Sequence, residues 1–394
     1  MFNRPAFLAA CVLASSAPCA LAVPYLPANG SDVIERLPRR ADPAQRELQR
    51  VRAELAANPK DVALATRAAT EYIATARRET DPRYYGYAQA ALAPWWSMPA
   101  PPHQVRLLRA TLLQSTHHFP EALRDLDAIV AADPKNPQAW LTRATVQTVR
   151  GDFAGATESC ARLSALTTQL VSSTCIASVG SMTGRAKASE ALLDMTLRRN
   201  ADADPGLQVW VLTLLGEMAE RRGDAAAAEA SFKRALQLDP RDSYLIGAYA
   251  DFLLEQRRPA EVVELVKSQT RIDALLLRYA LALQQIPSAG AALRNADAEL
   301  AARFSAAMRR GDTVHQREQA RYELHVRGNT KAGLELAQQN WTVQKESADI
   351  RILLEAALKA NNPAAAAPAL EWARKHTLED VAVTRLAARL KAGT

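Results

Sequence analysis

Residues 209–242 read VWVLTLLGEMAERRGDAAAAEASFKRALQLDPRD, and this stretch decides the fold. Two apolar helical segments flank the pair Gly223-Asp224, which is typical of one helix ending and another beginning. Pro240 marks the end of the second segment, because proline cannot continue a helix and restricts the residue before it. The stretch therefore predicts one antiparallel helical hairpin.

The same residue types recur along the chain at intervals of about 34 residues. Small residues at corresponding places indicate where the two helices of each hairpin cross, since a larger side chain would push the backbones apart. These crossing residues are Ala110, Ala144, Gly216 and Ala250. The other recurring residues are Trp140, Gly151, Phe153 and Ala156 in one copy, and Leu215, Gly223, Ala228, Phe232, Ala235 and Pro240 in another. The pattern predicts a stack of helical hairpins.

The order of these residues resembles the tetratricopeptide repeat (TPR), and residues 209–242 match that pattern nearly place for place. The resemblance implies an all-α, right-handed superhelical solenoid of antiparallel helix hairpins. It also implies a non-enzymatic scaffold. In such proteins the first helices of successive hairpins line a concave groove that holds a protein or peptide.

The repeat divides the chain into four segments. We expect a signal peptide over residues 1–22, then N-terminal helical hairpins with an aromatic insertion over residues 23–102. Regular TPR-like repeats are expected over residues 103–276. Degenerate TPR-like repeats follow over residues 277–394 and include a C-terminal capping helix whose charges suit the polar outer face of a terminal unit.

The N-terminus predicts export. Arg4 precedes an apolar run over residues 6–13, and the small-residue sequence Ala20-Leu21-Ala22 stands before Val23. This order is typical of a secretory signal that is removed from the mature protein. The mature chain is therefore expected to begin near Val23 and to be periplasmic or secreted.

Two alternatives to a cleaved signal remain. The segment is either an apolar first helix of the fold or, with Cys19 at the cleavage point, a lipoprotein signal. Pro18 departs from the small residue that bacterial lipoproteins carry before that cysteine. The apolar run is too short to span a bilayer, and no transmembrane segment is expected in the mature chain.

Charge argues against nucleic acid as a partner. The formal net charge is +7, with 49 Lys and Arg residues against 42 Asp and Glu residues. These charges are interspersed, whereas nucleic-acid binding needs a basic patch or stripe. The basic balance instead favours anionic surfaces of the cell envelope.

Only Cys160 and Cys175 remain after removal of the signal peptide. Their positions in successive antiparallel helices set them roughly level, and an oxidising compartment permits a disulfide. The alternative is two buried thiols that act as small hydrophobic residues. Their spacing is not the C-x-x-C of redox enzymes.

The sequence offers little material for catalysis. It has six histidines, with His117 and His118 in a predicted surface turn, and no metal-binding spacing joins them. It lacks the nucleophile-elbow and zinc-protease motifs, and only 15 glycines are available for phosphate-binding loops. We therefore expect no enzyme activity, no metal and no cofactor.

A partner-binding face follows from the helical period. The stripe of each first helix that lies opposite its packing residues should face the groove. The predicted partner-binding residues are Gln104, Leu107, Thr111, Gln138, Leu141, Thr145, Trp210, Thr213, Glu217, Tyr244 and Asp251, with Glu220 on the same stripe as Glu217. Trp210 and Tyr244 are predicted anchors, because large amphipathic rings often dominate protein contacts. The alternative is that both rings pack against neighbouring hairpins.

A second aromatic patch comprises Tyr84, Tyr85, Tyr87, Trp95 and Trp96. It is expected to cover the open end of the N-terminal hairpins, with a docking surface as the alternative. These readings leave two hypotheses of function. One is a scaffold for a protein or peptide of the cell envelope, and the other is a carbohydrate-handling or enzyme-associated envelope protein whose exposed aromatics stack on sugar rings.

Overall fold

A computed structural model describes Asn29, residues 43–311 and residues 314–392. The predicted signal peptide over residues 1–22 lies outside the described residues. The chain divides into Met1–Glu47 and a compact unit, Leu48–Thr394. The description below concerns that compact unit.

The described residues form helices and no strand. A short 3-10 helix, Pro287–Ala289, precedes α16, and a π-helical segment, Tyr322–Val326, follows α17. The α-helices are α1 Pro43–Ala57, α2 Val62–Glu79, α3 Arg83–Ala91, α4 Ala93–Trp96, α5 His103–Ser115, α6 Phe119–Ala132, α7 Pro137–Arg150, α8 Phe153–Leu163, α9 Gln169–Ser181, α10 Ala186–Arg199, α11 Pro205–Arg222, α12 Ala225–Leu238, α13 Ser243–Glu255, α14 Pro259–Val266, α15 Asp273–Gln284, α16 Gly290–Arg309, α17 Gln316–Arg321, α18 Thr330–Val343, α19 Ser347–Lys359, α20 Pro363–Lys375 and α21 Val381–Ala392.

Successive helices pair into hairpins. From α5 and α6 through α19 and α20, each first helix packs against the second helix of its own hairpin, and most second helices pack against the next first helix. Consecutive first helices, such as α9, α11 and α13, also contact one another. The predicted all-α fold of stacked helical hairpins is confirmed.

Glycine and aspartate explain the tight turns inside two hairpins. Gly151 and Gly223 end their helices with φ of +77° and +80°, a left-handed conformation that glycine adopts without steric cost. The following aspartates cap the second helices. The carboxylate of Asp152 accepts the backbone N–H of Gly155, and that of Asp224 accepts the backbone N–H of Ala227, each at 3.0 Å.

The crossing predicted at Gly216 is tight. A Cβ atom built on Gly216 would lie 2.6 Å from Cε1 of Phe232, which is fully buried on the facing helix. The corresponding small residues Ala110, Ala144 and Ala250 are also buried. The two helices of the best-matching hairpin therefore approach as closely as the residue pattern requires.

The predicted insertion differs in part from the structure. The pattern predicts that the aromatic insertion occupies residues 79–87 and that the helix resumes at Ala88, whereas α3 begins at Arg83 and includes residues 83–87. Helix α2 ends at Glu79, and its C-cap residue Thr80 has a φ of +50°. The rings of Tyr72, Tyr84 and Tyr87 then pack together, with centroids 5.6 to 6.2 Å apart, and this contact favours continued helix. Among the described residues, no helix is both long and apolar enough to cross a bilayer.

Candidate binding groove

The predicted groove face of α11 and α13 carries an aromatic and acidic patch. Trp210 is 36% exposed and Tyr244 is 64% exposed. The hydroxyl of Tyr244 donates to Oε1 of Glu217 at 2.7 Å, so the patch links two successive hairpins. The negative charge of Glu217 raises the pKa of Tyr244, and burial raises the pKa of Glu217. We call Trp210, Glu217, Glu220 and Tyr244 the groove patch.

Glu220 is the most perturbed carboxyl group of this patch. Burial raises its pKa to about 8, and the nearby negative charges of Asp251 and Glu217 add to the shift. Arg351 opposes the shift without cancelling it. Within the described part of the chain, no hydrogen bond or ion pair is made by the Glu220 carboxylate. This groove position therefore holds a carboxyl group that would gain from a cationic partner.

Asp251 has the opposite electrostatic environment. Burial alone would raise its pKa, but the charges of Arg278 and Arg321 outweigh burial and hold the pKa well below its usual range. Nη2 of Arg278 lies 2.5 Å from Oδ2 of Asp251, and Nη2 of Arg321 lies 2.9 Å from Oδ1. Arg321 belongs to the end of α17, far along the chain. This predicted partner-binding residue is thus already bound by the chain itself.

Thr213 does not reach the groove surface. It is only 3% exposed, and its hydroxyl donates to the carbonyl of Val209 at 2.8 Å. The reason is that α11 packs between α9 and α13, which covers the flank of the helix. Its assignment as an exposed binding residue is corrected accordingly.

The predicted groove residues on α5 and α7 vary in exposure. Gln104, Gln138 and Thr145 are exposed, and Thr111 is half-buried. The half-buried residues Leu107 and Leu141 pack against the hydrophobic clusters around Phe119 and Trp140. Leu107 and Leu141 therefore contribute more to the core than to an open surface.

The C-terminal part of the chain lies along the turns of the middle hairpins. We call residues 372–385 the C-terminal strap. Atoms of Trp372, Thr377 and Val381 lie 3.0, 3.1 and 3.4 Å from Cβ atoms built on Gly151, Gly184 and Gly223, respectively, which are the turn glycines of three successive hairpins. At a fourth, α13 and α14, Arg385 of the strap pairs with Glu255, and so does Arg351 of α19.

Hydrogen bonds and one aromatic cluster complete this contact. The backbone N–H of Ala186 donates to Oε2 of Glu379 of the strap at 2.7 Å. Beside the strap, between α18 and α19, the N–H of Lys345 donates to the carbonyl of Val149 at 2.8 Å. The Trp372 ring centroid lies 5.5 Å from that of Phe153. The seam between the strap and the hairpin turns therefore combines ion pairs and hydrogen bonds with apolar contact, since Trp372 and Leu378 pack against the cluster of Phe153 and Trp140.

The repeat pattern does not predict the strap or the arginines that pair with Glu255. Ala186 and Glu379 are 193 residues apart, and a repeat pattern records only neighbouring units. Trp372 and Arg385 look like ordinary surface residues of a terminal unit. No signal in the sequence marks them as partners of the middle hairpins.

His117 also departs from its expected surface position. It is half-buried, its ring stacks on Phe119, and Nδ1 lies 3.3 Å from Nε2 of Gln344, which precedes α19. Burial lowers the pKa of His117 to about 4, and the charge of Arg317 lowers it further. Within the described residues, no group of three or more His, Cys, Asp or Glu side chains is arranged to hold a metal ion.

The structure joins Cys160 of α8 to Cys175 of α9 by a disulfide, with Cα atoms 5.6 Å apart. Both residues are buried beside Phe153 and Trp140. The bond links two successive hairpins next to the strap. That the cysteines are bonded in the exported protein stays a prediction.

The second aromatic patch packs mainly into the N-terminal core. Trp95 is buried, and Tyr84, Tyr85 and Trp96 pack against the same cluster. Tyr87 is 51% exposed. Trp95 therefore offers no open ring face to a sugar, and this part of the carbohydrate hypothesis lacks support.

The chain is similar to solved structures with which it shares little sequence. No family model and no curated protein matches the chain. Similar solved structures include the APC/C hetero-tetramer Cut9-Hcn1, with 11% identity over 83% of this chain and 75% of that chain and a TM-score of 0.37. Another is the human IFIT1 dimer with m7Gppp-AAAA, with 15% identity over 89% of this chain and 77% of that chain and a TM-score of 0.39. A third is yeast Tom70, with 11% identity over 89% of this chain and 85% of that chain and a TM-score of 0.39. Likenesses this low carry no inference about what this chain binds.

Proposed function

We propose that the protein is a non-enzymatic scaffold that binds a protein or peptide partner through the groove face of α11 and α13. The observation that carries this proposal is the groove patch, in which two exposed rings lie on the same face as Glu217 and Glu220. Exposed Trp and Tyr residues are frequent binding hot spots, because they bury a large area at little cost in conformational entropy.

The partner segment is positively charged in this proposal. Burial of Glu220 beside Asp251 and Glu217 opposes its ionisation, and an incoming Arg or Lys side chain would offset that cost. The faces of Trp210 and Tyr244 also attract cations through their ring quadrupoles. Nucleic acid, a polyanion, offers no cationic group to these carboxyl groups.

The proposal places this binding in the cell envelope. Its support is the N-terminal order of Arg4, an apolar run and small residues before Val23, which lie outside the described residues. The mature protein then works in the periplasm or outside the cell. An oxidising compartment agrees with the bonded pair Cys160 and Cys175.

The test is a titration of the purified mature protein with an Arg-rich peptide, a Glu-rich peptide of equal length and glycan fragments. Only the Arg-rich peptide should bind. Trp210→Ala and Tyr244→Ala should each weaken binding about tenfold, or ~1.4 kcal/mol, with little change in melting temperature. Tyr87→Ala is the matched control, because this exposed ring lies outside the groove patch.

A pH series sharpens the test. Glu220 becomes charged as the pH rises through about 8, so the affinity for the Arg-rich peptide should increase between pH 7 and pH 9. Arginine stays protonated over this range. Glu220→Gln should remove the increase. Unchanged binding in Trp210→Ala and Tyr244→Ala, or selective binding of glycans, would contradict the proposed function.

A further inference from the structure

The groove carboxylates of two successive hairpins occupy the same place in the repeat. Glu217 of α11 and Asp251 of α13 are separated by one repeat length, and so are their bonding partners Tyr244 and Arg278. The hydroxyl of Tyr244 donates to Glu217 at 2.7 Å, and Nη2 of Arg278 donates to Asp251 at 2.5 Å. In both pairs the partner follows the carboxylate by 27 residues. The two pairs are therefore copies of one arrangement that links each first helix to the next.

The copy at Asp251 includes a second arginine. Nη2 of Arg321 donates to Oδ1 of Asp251 at 2.9 Å and Nη1 donates to Oδ2 at 3.3 Å, so one guanidinium binds both carboxylate oxygens. Arg321 belongs to α17, and α15 lies between α17 and α13 in the stack of first helices. Both side chains stay partly exposed, at 22% and 29%, so Arg321 reaches Asp251 across the groove face rather than through the core.

The copy at Glu217 lacks this second arginine. Helix α15 has the same place relative to α11 as α17 has relative to α13, yet no hydrogen bond or ion pair joins α15 to Glu217 in the described residues. Two other arginines lie close enough to affect the pKa of this carboxyl group, which burial raises. Both are bound elsewhere, because Arg221 donates to Oγ of Ser181 at 3.0 Å and Arg317 pairs with Glu346 at 3.0 Å.

The copy at Glu217 is also open to a partner. Arg278 is 8% exposed, whereas Tyr244 at the equivalent place is 64% exposed. The Tyr244 hydroxyl binds Oε1 of Glu217 and leaves Oε2 without a partner in the described part of the chain. The exposed ring beside this carboxylate offers a face on which a planar guanidinium can stack.

We propose that the groove patch recognises an arginine side chain of the partner, whose guanidinium binds Glu217 as that of Arg321 binds Asp251. This inference rests on the proposed function and narrows its ligand from any cation to a guanidinium. A guanidinium donates two parallel N–H bonds to a carboxylate in a fixed geometry, whereas a lysine ammonium is a compact point charge. The site should therefore prefer arginine to lysine.

Three peptides of one sequence separate charge from geometry. They carry arginine, lysine or citrulline at the same positions. Lysine keeps the charge without the planar fork, and citrulline keeps a planar group without the charge. At pH 7 the arginine peptide should bind the mature protein at least tenfold more tightly than the lysine peptide, and the citrulline peptide should not bind measurably. Isothermal titration calorimetry gives the dissociation constants.

Tyr244→Arg supplies a cation to Glu217 from within the chain, as Arg278 does for Asp251 in the next hairpin. It should therefore weaken binding of the arginine peptide at least tenfold more than Tyr244→Ala does, with little change in melting temperature. Tyr87→Arg is the matched control, because it adds the same charge at an exposed ring outside the groove patch.

Glu217→Gln removes the proposed ligand of the guanidinium. It should reduce the preference for arginine over lysine to less than twofold. Glu264→Gln is the control, because this exposed carboxylate of α14 pairs with Lys267 and lies outside the groove patch. If a variant fails to fold in circular dichroism melting, the peptide series on the wild type still decides.

Equal affinities of the arginine and lysine peptides would overturn this inference and leave the proposed function standing, since charge alone would then explain binding. A preference for arginine that persists in Glu217→Gln would overturn the assignment of Glu217. Absence of binding by both cationic peptides would overturn the inference together with the proposed function.

Discussion

At position 216 the chain has no room for a side chain. The Phe232 ring occupies the space where a Cβ atom would lie, at 2.6 Å, and both residues are in the core of the best-matching hairpin. Glycine is a poor helix former, so its presence inside α11 is explained by the close crossing rather than by helix propensity.

Gly216→Leu should destabilise the protein by about 1 to 3 kcal/mol, because it overpacks a filled crossing. Thermal melting followed by circular dichroism measures the effect. Gly86→Leu is the matched control, since a Cβ atom there would meet nothing within 4 Å. Equal melting of the wild type and Gly216→Leu would show that the crossing is not tight.

The structural roles that depend only on neighbouring residues were predictable from the sequence. The turn glycine Gly223, the cap Asp224 and the crossing at Gly216 each depend on neighbours within one hairpin, and the repeat pattern records those neighbours. Thr213 was misassigned because its burial depends on α9 and α13, on either side of α11. The pairing of Asp251 with Arg321 joins residues 70 positions apart and leaves no periodic signal.

At the scale of elements, α8 and α9 have a covalent link that other successive hairpins do not show in the described residues. Cys160 and Cys175 close a loop with a sequence separation of 15. In the chain-entropy model such a loop stabilises the folded state by about 3 kcal/mol, since the bond restricts the unfolded chain. Phe153, which contacts Trp372 of the strap, lies in the same cluster as this bond.

Replacing both cysteines, Cys160→Ala with Cys175→Ala, should lower the free energy of unfolding by about 3 kcal/mol. Denaturant unfolding of the wild type and the double variant, without added oxidant or reductant, gives the difference in the free energy of unfolding. Mass spectrometry of protein isolated from the cell envelope should find the two peptides joined. Two free thiols there would remove both the bond and the argument for an oxidising compartment.

At the scale of the compact unit, contacts between distant hairpins change how a solenoid should unfold. Solenoids with contacts only between neighbours unfold progressively, unit by unit. Here Thr80 of the α2 end donates to Ser243 at the start of α13, at 2.8 Å, and the strap joins the last helices to four middle hairpins. Such long-range contacts couple the units and favour a single transition.

Weakening the seam should separate that transition into parts. Glu255→Gln with Glu379→Gln removes two carboxylates that bond across the seam, and we expect a loss of about 1 to 3 kcal/mol and a broader transition. Calorimetry measures this by comparing the van't Hoff enthalpy with the calorimetric enthalpy, which are equal when the protein unfolds in a single transition. Glu264→Gln is the control, because its ion pair with Lys267 stays within one hairpin. An equal effect of the control would argue against coupling through the seam.

The contacts beneath the strap also limit how this protein can change over evolution. Solenoid proteins commonly lengthen by duplication of a unit, and each new unit needs only to fit its two neighbours. Here Trp372, Thr377 and Val381 each lie over the turn of a particular hairpin. A duplicated hairpin inserted among them would carry Gly184 or Gly223 away from its partner. The number of units between Gly151 and Glu255 is therefore fixed by a segment that follows them in the chain.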